Sequence, residues 1–583
     1  MRLLKHGFLL CWTLLSLLSG EGVAFAAETN EQKWFSHGVV AADHPAAAEA
    51  GLTVLKQGGN AIDAAVATSF ALAVVRPGSC GLGGGGFMVI WLAEEQRATV
   101  LDYRECAPAA ASRDMFLPGP FDQHPAELNR SRVGGLAVGI PGTVAGLCLA
   151  QEKYGKLELA EVIAPALKLC RHGIPLDHHA REEQSELIKL FEQHPGLKSR
   201  FTPLWKMYLN QGKPWTDEDR FYSPPGLVLE KISALGAEGF YQGKVAEAIV
   251  LASRRTGGIL THDDLAKYQP TEREPLKGEF QGNTVYTMPP PSSGGVALLQ
   301  ILGTLEAYSH LHAEGWKQYA TLDQPLFIHF LVEVCKHAFA DRARYLGDTD
   351  FVQVPIDELL SPELFEERAN SIGINGTKPI EAYGIHLPVE DAGTSHLSVM
   401  DQEGNAVACT ETINTQFGSL VVVPEFGIVL NNEMDDFAAI PGKPNAFGLI
   451  QGEANSIAPG KKPLSSMSPT ILVKDNQAVL AVGGSGGPRI ISGTLQVILH
   501  RILWNKSIQE AVTAPRLHHQ WLPNELLLEP GLFYDHAGSL LTLGHDVQLR
   551  NNITAVQATI RTEEGMQGAN DPRKSELVEG FGF

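Results

Sequence analysis

The sequence predicts an α+β fold, in which helices pack on a mostly antiparallel sheet. Two observations carry this reading. Residues 140–270 show the apolar spacing of amphipathic helices, whereas from Thr394 onward the apolar period changes to two. The strand candidates of the second part are not separated by regular crossover helices, so a parallel βαβ array is not indicated, and helices grouped around an antiparallel sheet give a layered domain.

The elements follow in order. In 43–79, Asp43 is placed to cap a helix with Pro45 in its first turn, Gly58-Gly59 stops that helix, and Asn60 starts a second one that is apolar on most faces and therefore buried. "GFMVIWLAE" and "ATVLDYRE" read as strands, and 326–348 reads as another long helix. Residues 373–393 are rich in Gly, Pro and acidic residues and read as an exposed loop. Beyond it, "AVACTETIN", "SLVVVPEFGIVLNN", "SPTILVKDNQAVLAVGG" and "ITAVQATIRTEEG" are strand candidates, with helix returning at "GGPRIISGTLQVILHRILW".

Bulk properties narrow the function. The chain has 583 residues, 44% hydrophobic and 19% charged, an ordinary globular composition, and its net charge of −20 argues against nucleic-acid binding and attraction to a membrane surface. Arg2 and Lys5, the apolar run 8–18 and the small residues of "AFA" at 24–26 form an export signal, with cleavage expected after Ala26. No later run is as free of polar breaks, so the expected product is an exported, soluble protein without a stable membrane anchor. Seven cysteines are scattered without a C-x-x-C, which favours buried thiols over a disulfide framework.

Several motifs invite a site. "GLGGGG" at 81–86 has dinucleotide-loop spacing, but a helix precedes it and a strand follows, the wrong context, so packing or turn glycines are the better reading. The pairs His178-His179 and His518-His519 lack chelating spacing, and no H-E-x-x-H is present; no metal is expected. In "AVLAVGGSGGPRII" a strand ends in glycines and a helix begins at once, which presents backbone N–H groups to a phosphate or an oxyanion, or simply makes a tight turn. Ser465 and Ser466 could hold a carboxylate, as could Arg104, whose fork matches one bidentately. Glu433, Asp435 and Asp436 form either a solvated turn or an anionic wall for an ammonium group.

The turn Asp401–Asn405 sets a register. If Asp401 pairs with Asn405, counting outward puts Thr394 opposite Thr412, with Asn414 two residues beyond on the same face. A threonine hydroxyl needs a base, and the α-amine of Thr394 itself would serve once the chain is cut before it. Such an amine titrates near pH ~8. Gly393, lacking a Cβ, leaves its carbonyl open to attack by the Thr394 hydroxyl.

These segments together, "DHPAAAEAGLTVLKQGGNAIDAAVA", "GTSHLSVMDQEGNAV", "TINTQFGS", "GIVLNNEMDDF", "PLSSMSPT", "GGSGGPRI" and "GANDPR", resemble the γ-glutamyltransferase (γ-glutamyltranspeptidase) family of N-terminal nucleophile hydrolases across essentially the whole chain after residue 26. The resemblance implies a four-layer αββα sandwich built from two subunits of one precursor: signal 1–26, large subunit 27–393, small subunit 394–583. It implies autocatalytic cleavage between Gly393 and Thr394. Thr394 would then take a γ-glutamyl group from glutathione or a related compound as an ester, resolved by water or by the amine of an amino acid or dipeptide. It implies that Arg104, Ser465 and Ser466 hold the substrate α-carboxylate and that Asn414, Glu433 and Asp436 hold the α-ammonium. Gly486 and Gly487 would supply oxyanion donors, Thr412 would orient the nucleophile, and no cofactor is implied. The segment 441–452 resembles a lid over the pocket, with Phe447 where some relatives have tyrosine, and Ser395 follows the nucleophile where many have Thr or Ala. The competing enzyme reading is a glutaryl or cephalosporin acylase of the same fold. The non-enzyme reading is an exported binding protein that never matures.

Overall fold

The computed structural model describes residues 33–117, 130–216, 218–311, 320–373, 375–383, 393–438 and 452–583. The export segment 1–26, residues 384–392 and nearly all of 441–452, Phe447 included, lie outside the described residues. The elements below belong to one unit, Phe35–Phe583.

Two antiparallel sheets form the centre. The first runs in the order Phe581–Gly582, Gly38–Ala42, Ser395–Asp401, Ala406–Thr412, Gly85–Leu92, Arg97–Asp102, Thr271–Arg273. The second runs Gly565–Ala569, Ala555–Thr562, Gln477–Ser485, Thr470–Lys474, Asn283–Thr287, Leu276–Phe280. Period-two alternation divides the first sheet's side chains between two cores. Phe87, Val89, Trp91 and Met400 face inward and meet Ile471, Val473, Ala481 and Met566 of the second sheet. Met88, Ile90, Leu397 and Val399 face outward, into the helical layer.

That outer layer includes helices Pro45–Lys56 and Ala61–Val75, which lie against the strands beginning at Gly38, Ser395 and Ala406. On the far side, helices Gly294–Leu311 and Arg489–Ile498 cover the second sheet. The layering is therefore helix, sheet, sheet, helix, the expected αββα sandwich. All fifteen residues of Ala61–Val75 are buried, which is why the helix has almost no polar face, and Asn60 caps it reciprocally with Asp63. The cap of the preceding helix corrects the sequence reading: His44, not Asp43, accepts from the Ala46 amide (3.1 Å). Asp43 instead accepts from Gln557 (2.7 Å) and pairs with Lys574 (3.2 Å), tying the helix start to the C-terminal segment. The long helix expected over 326–348 spans Pro325–Tyr345, whereas "SLVVVPEFGIVLNN" yields only the two-residue pairing of Val422–Val423 with Ile428–Val429.

The register expected from the turn is observed. Met400 pairs with Ala406 and Ser395 with Glu411, so Thr394 continues the ladder opposite Thr412. Asp401 fixes the turn by accepting from the backbone N–H of Glu403 (2.9 Å) and Asn405 (3.0 Å). Its other oxygen accepts from Ala61, the first residue of the buried helix. His396 points between the sheets and packs so closely on Gly483 that a Cβ there would lie 2.3 Å from the ring. The imidazole bonds Thr410 (2.7 Å) and Ser398 (3.0 Å), and burial pushes its pKa down to about 3, so it is neutral packing material.

Candidate functional site around Thr394

Thr394 lies at the end of the strand Ser395–Asp401, on the face turned toward the second sheet. The Gly393–Thr394 bond is intact. The Thr394 and Thr412 hydroxyls both donate to the Gly393 carbonyl, at 2.5 and 2.6 Å, and stand 3.3 Å apart. The Asn414 N–H donates to the Thr412 oxygen (2.8 Å), which leaves that hydroxyl's own hydrogen for Gly393. Space explains the glycine: a Cβ on Gly393 would sit 2.7 Å from the Asn414 carbonyl oxygen and 2.7 Å from the Thr415 carbonyl carbon. The run 81–86 is likewise packing glycine. A Cβ on Gly83 would meet the Val429 carbonyl at 2.1 Å, and one on Gly84 the Thr412 carbonyl at 2.0 Å. These contacts hold the segment before the acidic turn and the strand Ala406–Thr412 close to the glycine run.

A small cavity of about 20 Å³ opens beside Thr394, lined by Arg104, Thr412, Asn414, Glu433, Asp436, Ser465, Ser466 and Gly487 together with Arg342. Every substrate-binding candidate read from the sequence converges there. The acidic turn is not solvated: Glu433–Asp436 is a buried 3-10 turn. Asn431 anchors its start, accepting from Gly139 N–H (2.9 Å) and donating to the Gly83 carbonyl (2.8 Å).

The arrangement departs from the sequence reading in one respect. Arg104 was expected at the opposite end from Glu433 and Asp436, yet its guanidinium bonds both, the Asp436 contact at 2.6 Å. Burial explains the pairing, because charges withdrawn from water are costly unless they neutralise each other. Burial lowers the guanidinium's pKa, but the two carboxylates outweigh it and hold Arg104 above the usual arginine range. Burial likewise pushes Glu433 well above the normal carboxyl range and the adjacent Glu105 up to about 7, against the pull of Arg104. At about 20 Å³ the cavity holds roughly one water. Three buried polar atoms on its lining residues have no hydrogen-bond partner among the described residues: Glu433 Oε2, Asn414 Oδ1 and Arg342 Nη1.

On the other side of Thr394 lies a cavity of about 480 Å³, bounded by Gly393, Gly486, Thr415, Glu182, Glu183, Arg489 and Lys574 among others. The glycine turn lies between the two cavities. Gly486 lines the larger and Gly487 the smaller, both at positive φ (126° and 57°), between the strand Gln477–Ser485 and the helix Arg489–Ile498. Lys574 donates to the Thr394 carbonyl (2.5 Å) while paired with Asp43. Sequence reasoning missed Lys574, Glu105 and Arg342, each a single charged residue without a local pattern.

Elsewhere, His518 bonds Ser492 (2.8 Å) and Gln520 (2.9 Å), and the His519 ring accepts from the Trp521 N–H (3.0 Å), so that pair is structural. His329, Glu333 and His545 converge closely enough to suggest metal ligands. However, the two rings bond each other at 2.7 Å, and Glu333 is engaged by Lys336 (2.8 Å), Thr377 (2.7 Å) and Tyr383. An ammonium group among the would-be ligands opposes a cation. The six described cysteines are free.

Comparison with known proteins agrees with this geometry. The sequence profile described as Gamma-glutamyltranspeptidase matches residues 47–581. A "Glutathione hydrolase proenzyme" of Escherichia coli (strain K12) is 42% identical over 550 residues, covering 93% of this chain and 92% of that protein. Among solved structures, a cephalosporin acylase from Bacillus halodurans superposes with a TM-score of 0.80 at 27% identity, covering 94% of this chain and 96% of the other. Helicobacter pylori gamma-glutamyltranspeptidase gives a TM-score of 0.51 at 39% identity, covering 58% of this chain and 92% of that one. With Thr394, the polar residues around Arg104 and the glycine turn gathered at one point of an αββα sandwich, and with the profile spanning nearly the whole described chain, this protein belongs to the γ-glutamyltranspeptidase family.

Proposed function

We propose that the chain is the precursor of a γ-glutamyl acyltransferase and glutathione hydrolase, exported by residues 1–26 to the periplasm or beyond, which cuts itself between Gly393 and Thr394. The observation that carries the substrate class is the chemistry of the residues lining the small cavity. Acceptors come from Glu433, whose carboxyl also contacts that of Glu105, and from Asn414 Oδ1, which has no partner among the described residues; Arg342 Nη1 is a cationic donor likewise without one. An α-amino acid end suits both, its ammonium donating to the acceptors and its carboxylate accepting from the donor. Asp436 adds charge on the ammonium side; Ser465, Ser466 and Arg104 add donors for the carboxylate as the substrate loosens the Arg104 pairing.

In maturation the Thr394 hydroxyl adds to the Gly393 carbonyl carbon. The C–N bond breaks, the amide nitrogen takes up the hydroxyl's proton, and an ester to Gly393 remains. The Thr412 hydroxyl, held at 2.6 Å, stabilises the charge that develops on the Gly393 oxygen. Water then hydrolyses the ester, leaving the Gly393 carboxylate and a free Thr394 amine. Before this step the nitrogen is an amide and cannot act as a base, so the uncut chain is inactive toward substrate. In the cut enzyme the amine accepts the Thr394 proton as the oxygen attacks the γ-carbonyl carbon. The Gly486 and Gly487 N–H groups hold the oxyanion, and the leaving amine takes the proton. Water gives hydrolysis and an amino acid or dipeptide amine gives transfer. Among the described residues no helix is long and apolar enough to cross a membrane.

The likeness to a cephalosporin acylase makes a glutaryl-type substrate the second reading. Such an acyl group carries no ammonium to donate to Glu433 and Asn414. A site with buried polar groups rejects an analogue that cannot pair them, by roughly 10²-fold or more. The test is turnover of γ-glutamyl anilide against glutaryl anilide by the cut protein, with Thr394→Ala as an uncut, inactive control. Equal turnover of the two anilides would refute the γ-glutamyl assignment.

A further inference from the structure

Four arginine side chains are among the largest fully buried ones: Arg76, Arg104, Arg342 and Arg516. Three are neutralised, Arg76 by Asp177, Arg104 by Glu433 and Asp436, and Arg516 by Asp571 (2.6 Å). Arg342 is the exception. It stands in the last turn of helix Pro325–Tyr345 and is 1% exposed. Among the described residues it makes no ion pair: Nε donates to Ser293 Oγ (2.9 Å), Nη2 to Ser466 Oγ (3.4 Å), and Nη1 has no partner. Its neighbour Asp341 is taken by Arg368 and Gln300. A buried cation is retained only when something supplies its counter-charge. It lines the small cavity beside Thr394.

We propose that Arg342 is a specificity-determining residue: Asp436, already bonded to Arg104, offsets its charge only at longer range, and the α-carboxylate of the γ-glutamyl substrate supplies the direct ion-pair partner. The proposal rests on the γ-glutamyl reading above and deepens it. Arg104 shares its charge with Glu433 and Asp436, so a second cation on the carboxylate side adds to what it can offer the substrate. Arg342 approaches from the serine side. By donating to Ser466 Oγ it leaves the Ser466 hydrogen free to point at the carboxylate, so guanidinium and hydroxyl act on one anion. Ser293 fixes the fork: its oxygen accepts from Arg342 while its hydroxyl donates to the Ser465 carbonyl (2.6 Å), linking the guanidinium to the serine pair. Burial draws the guanidinium's pKa down to about 10, which still leaves it charged at neutral pH.

The test compares two chromogenic γ-glutamyl anilides, one with a free α-carboxylate and one with an α-carboxamide, on the cut enzyme. Wild type should favour the acid. Arg342→Gln should raise KM for the acid by about 10²-fold, as for loss of one partner of a buried charge pair, while the carboxamide KM stays put. Arg342→Lys keeps the charge but loses the fork and should lose about tenfold. An unchanged acid-to-carboxamide ratio in folded Arg342→Gln overturns the proposal. Should that variant fail to fold or be cut, Ser293→Ala decides, because it loosens the guanidinium without removing its charge. A several-fold rise in the acid KM alone supports the proposal, and an unchanged ratio overturns it. Failure of the underlying reading looks different: wild type itself would then turn over glutaryl anilide as fast as γ-glutamyl anilide, or show no preference for the acid.

Discussion

Thr412→Val removes one hydroxyl and keeps the side chain's shape. That hydroxyl donates to the Gly393 oxygen at 2.6 Å, and among the described residues the other hydroxyl on that oxygen is Thr394's own, the attacking group in the proposed maturation. When attack puts negative charge on the Gly393 oxygen, wild type has Thr412 in place to meet it. Loss of one such donor slows a reaction by about 10²–10³-fold. The change also strips the Asn414 N–H of its acceptor, which costs about 1–3 kcal/mol for a buried donor. That is less than the 5–15 kcal/mol typical of a native domain, so folded protein should accumulate. The assay is a time course of freshly purified protein on a denaturing gel, scoring the full-length chain against its two fragments, with a thermal melt to certify the fold. Thr412→Val should be cut about 10²-fold more slowly than wild type, and Thr412→Ser should recover most of the rate. Folded Thr412→Val that matures at the wild-type rate would show that Thr412 does not stabilise the developing charge.

Two further outcomes follow from the geometry. Gly393→Ala forces a methyl to within 2.7 Å of the Asn414 carbonyl, so the Gly393 oxygen must leave its two hydroxyls. Cleavage should slow at least ~10-fold while the melting temperature changes little, since only the site's edge shifts; normal cleavage would mean the backbone relaxes without moving the carbonyl. His396 has a folded pKa of about 3 against 6.5 unfolded, a depressed value. Its contribution to stability is therefore complete above pH 6.5 and is lost as pH falls toward 3, at about 1.4 kcal/mol per unit. Melting temperatures of wild type and His396→Gln, measured from pH 7 to 4, should converge as the pH falls; parallel curves would contradict a neutral buried imidazole.

The hairpin was legible because its register depends on local rules. A turn at Asp401–Asn405 and a period of two suffice to set Thr394 against Thr412. The buried helix Ala61–Val75 was legible for the same reason, since its capping asparagine and unbroken apolar run lie in one stretch. The cap of the preceding helix was misassigned because two candidate residues adjoin, and Asp43 was drawn away by Lys574, which is 531 residues distant in the chain. The pairing of Arg104 with Glu433 and Asp436 was hidden because the partners lie 329 and 332 residues away in the chain and only the fold buries them together. Arg342 was hidden more deeply. On its own helix it looks like one more basic residue of a last turn, and only the packing reveals that among the described residues Nη1 has no hydrogen-bond partner.

Both sheets draw strands from either side of Gly393. In the first, Ser395–Asp401 and Ala406–Thr412 are inserted between Gly38–Ala42 and Gly85–Leu92, and Phe581–Gly582 closes the edge beyond Gly38. In the second, Thr470–Lys474 adds to Asn283–Thr287. The two products of a cut at Gly393 are thus interwoven like laced fingers, and neither retains a complete sheet if the other leaves. Peptide-bond scission here frees a chain end without freeing a subunit. The ladder hydrogen bonds and the shared apolar interior keep the halves together, and their separation would amount to unfolding.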